Sequence, residues 1–488
     1  MKNKTDAHIV IIGAGPGGIY AGIRLLERGI TDFTIYERAD DVGGTWWKNR
    51  YPGNACDVPA LNYSFTIRPN IEATHTYEGG KQLHRYFRGL AEEFGVLEHV
   101  IFNTEMATAD WDGSRWHLMT TGGEPIVADI VITAVGRLHR ARYPDIAGLN
   151  DFRGTVVHSS EWDESFELDG RIRLGVIGSG SSAVQIVSEA SKTVAEMVMF
   201  NRTPQWILPI ENEEIPEEIR QRYRDDPEFV AKSFDDLEEW LNEIAGAIFV
   251  GTDEAAERKQ RCLDALATVS SGELRAKLTP DHEVGCKRLI MSGDFFEAVQ
   301  RPNVTVVREN IDRIVPEGVV TKDGALHELD VLILATGFHA DGFLRPMQIT
   351  GEGGTTLDDI WKDKFLNYKS VALPHMPNLF TINGPFSPGG SVSLLMIIES
   401  HVDYILQLVD RIMEEKVCIQ PDEARSDELL EEVRERTKKT VWYTGGCTSW
   451  YLDKEGVPIV TPMTPAQLRA DMTQPQYEDF IVKNLVPA

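Results

Sequence analysis

Short unbroken apolar runs, each followed by a glycine-rich turn and then by apolar positions at helical spacing, occur twice along the chain. In the first copy His8 to Ile12 leads into Gly13 to Gly18 (GAGPGG), a helical pattern from Ile19 to Arg28 that stops at Gly29, and a strand from Phe33 to Glu37. In the second, Ile172 to Ile177 leads into Gly178 to Ala183 (GSGSSA), a helical stretch through Ala190, and a strand from Glu196 to Phe200. Each copy also closes on a similar apolar strand, one ending at Gly136 and the other at Gly337. The repeat predicts an α/β protein with two doubly wound dinucleotide-binding (Rossmann-like) domains and a helical insertion.

The insertion is residues 209 to 283. Its carboxylates, dense between Glu211 and Glu257, are expected to face water while Trp240, Ile244 and Phe249 face inward. After Gly337 there is no third fingerprint, so residues 341 to 488 are expected to return, complete the first domain and line the active site. The expected layout is residues 1–138 with 341–488 for the first nucleotide domain, and 139–208 with 284–340 for the second.

At 488 residues the chain is long enough for two or three domains, and 49 basic against 76 acidic residues give a net charge of -27. Such a surface repels a phosphate backbone and an anionic bilayer, which argues against nucleic-acid and membrane partners. The five cysteines, Cys56, Cys262, Cys286, Cys418 and Cys447, form no C-x-x-C pair. They are expected to be buried thiols in a cytoplasmic protein, with no metal site and no disulfide-reductase chemistry. The opening MKNKTDAHIV lacks the apolar segment of a signal peptide, and no apolar run approaches the ~18 residues of a membrane span.

A dinucleotide pyrophosphate needs backbone N–H groups at a helix N-terminus with no side chain in the way, which Gly13, Gly15 and Gly18 provide. Glu37 follows 24 residues after Gly13. There its carboxylate can accept from both ribose hydroxyls, and it excludes a 2′-phosphate. This alone does not separate NAD-type from FAD-type binding. In the second copy the turn is Gly178, Ser179, Gly180, Ser181, Ser182 and Ala183, the last standing where the first copy has its third glycine. The same count of 24 from Gly178 reaches Arg202, followed by Thr203. A guanidinium at that place matches a 2′-phosphate, so NADPH is expected over NADH.

The segment Gly43 to Asp57, GGTWWKNRYPGNACD, resembles the G-G-x-W-x-x-x-x-Y-P-G-x-x-x-D motif of type I (class B) flavin-dependent Baeyer-Villiger monooxygenases. That resemblance implies FAD in the first site, contacted by Thr45, Trp46, Asp57 and Tyr63, with the backbone of Met106 at the adenine. Residues 152 to 163, FRGTVVHSSEWD, match the family fingerprint F-x-G-x-x-x-H-x-x-x-W-[P/D] at Phe152, Gly154, His158, Trp162 and Asp163. His158 is read as fixing linker geometry, not as a chemical group. GCKR, from Gly285 to Arg288, resembles a segment whose lysine reaches the 2′-phosphate and whose arginine points at the flavin, which assigns Lys287 and Arg288. Cys447 to Asp453, with Trp450, resembles the segment that closes over the nicotinamide. Val135 departs from the threonine common in the family, without an expected consequence.

The resemblance implies an NADPH-dependent enzyme that inserts one atom of O2 beside a ketone carbonyl, giving an ester or lactone through a C4a-peroxyflavin. Arg288 would stabilise the anion and Asp57 would orient the arginine. The related oxygenases of sulfides and amines carry a tyrosine and a basic residue where this chain has Trp162-Asp163. A non-catalytic protein holding FAD and NADPH would have no use for both Asp57 and Arg288.

Overall fold

The computed structural model describes residues 7–163, 165–390 and 392–484. Two five-stranded sheets, each with only parallel pairings, organise it. The first runs Leu379–Thr381, Ile130–Thr133, Ile9–Ile12, Phe33–Tyr36, Val100–Ile101. The second runs Thr155–His158, Val331–Leu334, Arg173–Ile177, Glu196–Phe200, Val304–Val307. Every residue of Ile9–Ile12, Ile130–Thr133 and Val331–Leu334 is buried, as a parallel strand covered on both faces requires. The α/β doubly wound fold expected from the repeat is therefore present in both copies.

The repeat extends further than its fingerprints. Each copy places a small antiparallel meander just before its closing strand: Met106–Trp111, Trp116–Thr120 and Pro125–Ala128 in one, Ile311–Val315, Gly318–Thr321 and Leu326–Glu328 in the other. The two copies differ in the source of the fifth strand. In the first sheet Leu379–Thr381 arrives from the C-terminal part of the chain, whereas in the second Thr155–His158 precedes the fingerprint. The two segments that leave the closing strands then pair with each other, Arg142 N–H donating to Gly337 O at 2.9 Å and His339 N–H to Arg140 O at 3.0 Å.

Helix Pro16–Glu27 starts with proline in its first turn, where a missing N–H costs nothing, and ends before Gly29 at φ +72°. It buries Ile19, Tyr20 and Ile23 against the sheet and the long helix Leu394–Glu415. A fully buried isoleucine of this kind contributes about 1.5–3 kcal/mol.

The acidic insertion is helical, with Glu217–Asp225, Pro227–Gly246, Asp253–Ala267 and Gly272–Leu278. Asp226, Thr252 and Ser271 cap three of these helices by accepting from Phe229, Ala255 and Leu274 N–H. Its inward face is rotated from the expected one. Leu241, Ala245 and Ile248 are buried, while Trp240, Ile244 and Phe249 are half-buried.

The cysteines correct the expectation of five buried thiols. Cys286 and Cys447 are joined in a disulfide with Cα atoms 6.2 Å apart, and only Cys56, Cys262 and Cys418 are free and buried. The partners are 161 residues apart, so no spacing rule reveals them. Gly445 admits the approach, because a Cβ there would lie 2.8 Å from Cys286 Sγ. Among the described residues no helix is long and apolar enough to cross a membrane.

Candidate active site

The two glycine turns are built on one device. Gly13 sits at φ +103°, where a Cβ would lie 2.8 Å from Ala134 O, and Gly178 sits at φ +141°, where a Cβ would lie 2.3 Å from Ala335 O. In each case the end of the closing strand passes directly against the turn. The helices that follow, Pro16–Glu27 and Ser181–Ala190, have glycine N-caps, Gly15 and Gly180, and no side-chain cap. Their first N–H groups are therefore free to meet an anion. A Cβ on Gly180 would have nothing within 4 Å, and one on Gly15 would meet only the Gly44 backbone. Both turns present the open backbone cradle that a dinucleotide pyrophosphate fits.

The helix-to-strand packing differs between them. A Cβ at Gly18 would fall 1.9 Å from Gly13 O, whereas Ala183 carries its methyl group fully buried. The Glu37 carboxylate, buried at the end of the second strand, accepts from Ala14 N–H at 2.7 Å and Ala39 N–H at 2.8 Å. Thr104 N–H donates to Glu37 O, which brings the strand beginning at Met106 beside that carboxylate.

From the first turn the chain enters the short helix Thr45–Lys48. Thr45 is exposed, and Trp46 is buried with its Nε1–H donating to the Tyr63 hydroxyl at 3.2 Å. Their rings meet edge-on at 5.5 Å, and burial holds the Tyr63 hydroxyl far above the usual phenol range. Trp47 instead donates to Asp40 Oδ1 at 2.9 Å beneath the Arg50 guanidinium.

In the second site Arg202 is exposed and Lys287 half-buried. The Lys287 ammonium is pushed below the ordinary lysine range, first by burial and then by the Arg202 charge, with Asp281 opposing. The two cations thus act on one another although 85 residues separate them in sequence. Thr203 follows Arg202, and its carbonyl accepts from Gln205. Ser179 and Ser181 flank Gly180 in the turn, both half-buried.

Where the two units meet, Arg288 Nη2 lies 2.5 Å from Asp57 Oδ2. Arg288 is exposed, with 44% of its side chain accessible, and the Asp57 charge holds its guanidinium above its ordinary range. Tyr451 is buried beside it, its hydroxyl raised by burial and lowered by the nearby Arg288 and Arg137. Trp450, 37% exposed, tilts against the Tyr451 ring at 4.3 Å.

Two features escape the motif reading. Tyr51 docks on the second unit: Ser182 donates to the Tyr51 hydroxyl at 3.0 Å, which donates to Gln185 Oε1 at 2.9 Å, and Gln185 Nε2 donates to Ala55 O at 2.9 Å. Arg137 is buried immediately after Gly136. Its place beyond the carboxyl end of a central parallel strand was the available signal, since ligands gather there in open α/β sheets.

The fingerprint at 152–163 is tightly packed. Phe152 and Trp162 are buried, a Cβ on Gly154 would lie 2.3 Å from Asp330 O, and His158 Nδ1 accepts from Ser160 N–H at 3.2 Å.

Residues 10–225 match the family described as pyridine nucleotide-disulphide oxidoreductase. A Baeyer-Villiger monooxygenase of Streptomyces coelicolor is 35% identical, covering 98% of this chain and 93% of its own length. An uncharacterized monooxygenase of Mycobacterium tuberculosis is 40% identical, covering 97% of this chain and 95% of its own length. Among solved structures, cyclohexanone monooxygenase from Rhodococcus sp. Phi1 bound to NADP+ superposes with a TM-score of 0.88 at 27% identity, over 98% of this chain and 99% of that one. Oxidized steroid monooxygenase bound to NADP gives 0.87 at 25% identity, over 98% and 100%. With full-length relatives of this identity, the chain belongs to the Baeyer-Villiger family of flavin monooxygenases.

Proposed function

We propose that the protein binds FAD in the first cradle and NADPH in the second, and inserts one atom of O2 beside the carbonyl of a ketone to give an ester or lactone. The observation that carries this reading is the 2.5 Å contact between Arg288 and Asp57, which sets a fixed positive charge where the two nucleotide units meet. FAD, once reduced by NADPH, supplies the oxygen activation that closed-shell side chains lack.

The chain's own residues supply the rest. Backbone N–H groups after Gly15 and Gly180 hold the two pyrophosphates, and Glu37 takes the ribose of FAD. Thr45, Trp46 and Tyr63 line the flavin side, while the Met106 backbone meets the adenine. Arg202, Thr203 and Lys287 take the 2′-phosphate of NADPH, and Trp450 covers the nicotinamide. Asp57 orients the Arg288 guanidinium, which stabilises the negative charge that develops during oxygen transfer. The same reading assigns residues 1–138 and 341–488 to FAD, 139–208 and 284–340 to NADPH, and 209–283 to a helical insertion.

The test is incubation of the FAD-loaded protein with NADPH, O2 and a panel of linear, cyclic, aryl and steroid ketones, with esters and lactones as the expected products. Oxidation of sulfides alone, with every ketone returned unchanged, would overturn the assignment.

A further inference from the structure

Arg137 is a buried cation without a counter-charge among the described residues. Only 9% of the residue is exposed, and its Nε and Nη2 have no hydrogen-bond partner among them. Its Cζ lies 4.9 Å from the Phe343 ring centre and 5.2 Å from that of Trp450. Burial lowers the guanidinium to about 10, and the one opposing influence is the hydroxyl of Tyr451. Arg288, which faces the same tyrosine, has Asp57 to balance it. Leaving a buried charge unmatched is costly, so a group absent from the polypeptide must complete the site.

The cofactors' phosphates are already provided for. The pyrophosphates have the two helix N-termini, and the 2′-phosphate has Arg202 with Lys287. Arg137 therefore remains for a third anion. It follows Gly136, beyond the carboxyl end of Ile130–Thr133, and its guanidinium lies over the ring of Trp450, which packs on the Tyr451 that faces Arg288. Phe343, 3% exposed, and Trp450 lie over the guanidinium and help keep water from the charge, which strengthens a pairing there. The overall charge of -27 does not prevent this, since surface charge is screened beyond about 8–10 Å.

We propose that Arg137 binds a carboxylate carried by the substrate, so that the preferred substrates are oxo-acids and not neutral ketones. This rests on the reading of the site as a ketone oxygenase. Arg137 acts in recognition, placing the carbonyl by its carboxylate end.

The experiment compares oxo-acids of graded chain length with their methyl esters, which keep the carbonyl and remove the charge. In the wild type kcat/KM for at least one acid should exceed that of its ester by on the order of 10- to 100-fold, the range of a charge-assisted hydrogen bond. Arg137→Gln should abolish that preference while leaving the ester within about twofold, and Arg137→Lys should retain part of it. Esters outrunning acids throughout the series in the wild type, or equal losses for both in Arg137→Gln, would overturn the proposal; the wild-type comparison requires no variant to fold. Anion binding is read separately, by titrating ketone-free carboxylates of the same lengths against the absorption of the bound flavin. A saturable shift in the wild type that disappears in Arg137→Gln supports the site even where no product forms, in which case the ketone reading alone fails.

Discussion

The Arg288 guanidinium is held 2.5 Å from the Asp57 carboxylate across 231 residues of sequence, and this pairing joins the segment ending at Asp57 to the lysine-arginine segment of the second unit. If that charge serves oxygen transfer, Arg288→Ala retains FAD and is still reduced by NADPH, while ester formation falls on the order of 100- to 1000-fold. Lysine rescues poorly, because a point charge on a flexible stem does not reproduce a planar guanidinium held by Asp57. Anaerobic stopped-flow reduction followed by product analysis in air separates the two steps. A near-normal ester yield from the reduced variant would remove Arg288 from the chemistry.

Arg202 is exposed and its charge acts on Lys287, as expected of a reader of the 2′-phosphate. Arg202→Ala is expected to weaken NADPH by about 1.5–3 kcal/mol, the range for a charged hydrogen bond, and to leave NADH nearly unchanged. Equal losses for the two nucleotides, measured by titration of the flavoprotein, would place Arg202 outside the site.

Lys287 gives the same site a pH dependence. Burial and the Arg202 charge both favour its neutral form, so in the free enzyme it sheds its proton below the ordinary lysine range. The protonated form is the one that attracts a phosphate dianion. Affinity for NADPH should therefore decline as pH rises through that depressed range, NADH should show no matching decline, and NADPH binding should take up protons. Lys287→Arg, which stays charged, should flatten the profile. KM ratios for the two nucleotides between about pH 7 and about pH 10 provide the measurement, and parallel profiles would count against the role.

The repeat made both sheets legible, because an apolar run, a glycine turn and a helical period are local patterns: the strand read from Glu196 to Phe200 has those bounds, and the helix read up to Arg28 ends at Glu27. Contacts between distant segments carry no such pattern. The exchange of fifth strands, Thr155–His158 against Leu379–Thr381, depends on how the two linkers cross, and the Cys286–Cys447 pair depends on Gly445 letting two segments touch. Motif resemblance named Asp57 and Arg288 separately, and their contact is a property of the folded chain. Arg137 belongs to no motif; its place after a central parallel strand was readable, but its burial is a property of the folded chain.

The docking of Tyr51-Pro52-Gly53 on helix Ser181–Ala190 yields the last prediction. Gly53 has φ +80°, and a Cβ there would come 2.6 Å from Gln185 O and 3.2 Å from Glu189 Cβ. Gly53→Ala therefore strains the backbone and drives the segment off the helix together, at a cost of about 1–3 kcal/mol from overpacking alone. Asp57 lies four residues further on, so displacement of this segment also moves the carboxylate that orients Arg288. Tyr51→Phe is the control that keeps the ring in place. It removes one hydroxyl and leaves Ser182 and Gln185 short of a partner, for a loss of about 1–3 kcal/mol without a steric push. Both variants should melt earlier than the wild type, but only Gly53→Ala should consume NADPH with a lower yield of ester per nucleotide. Product yield and NADPH consumption measured in one reaction, beside thermal melting of the flavin-loaded proteins, distinguish the two effects. Should Gly53→Ala melt earlier and yet keep its product yield, the docking would hold the domains together without positioning Asp57; unchanged melting and yield together would show that the segment moves freely and that the close approach to Gln185 carries no weight.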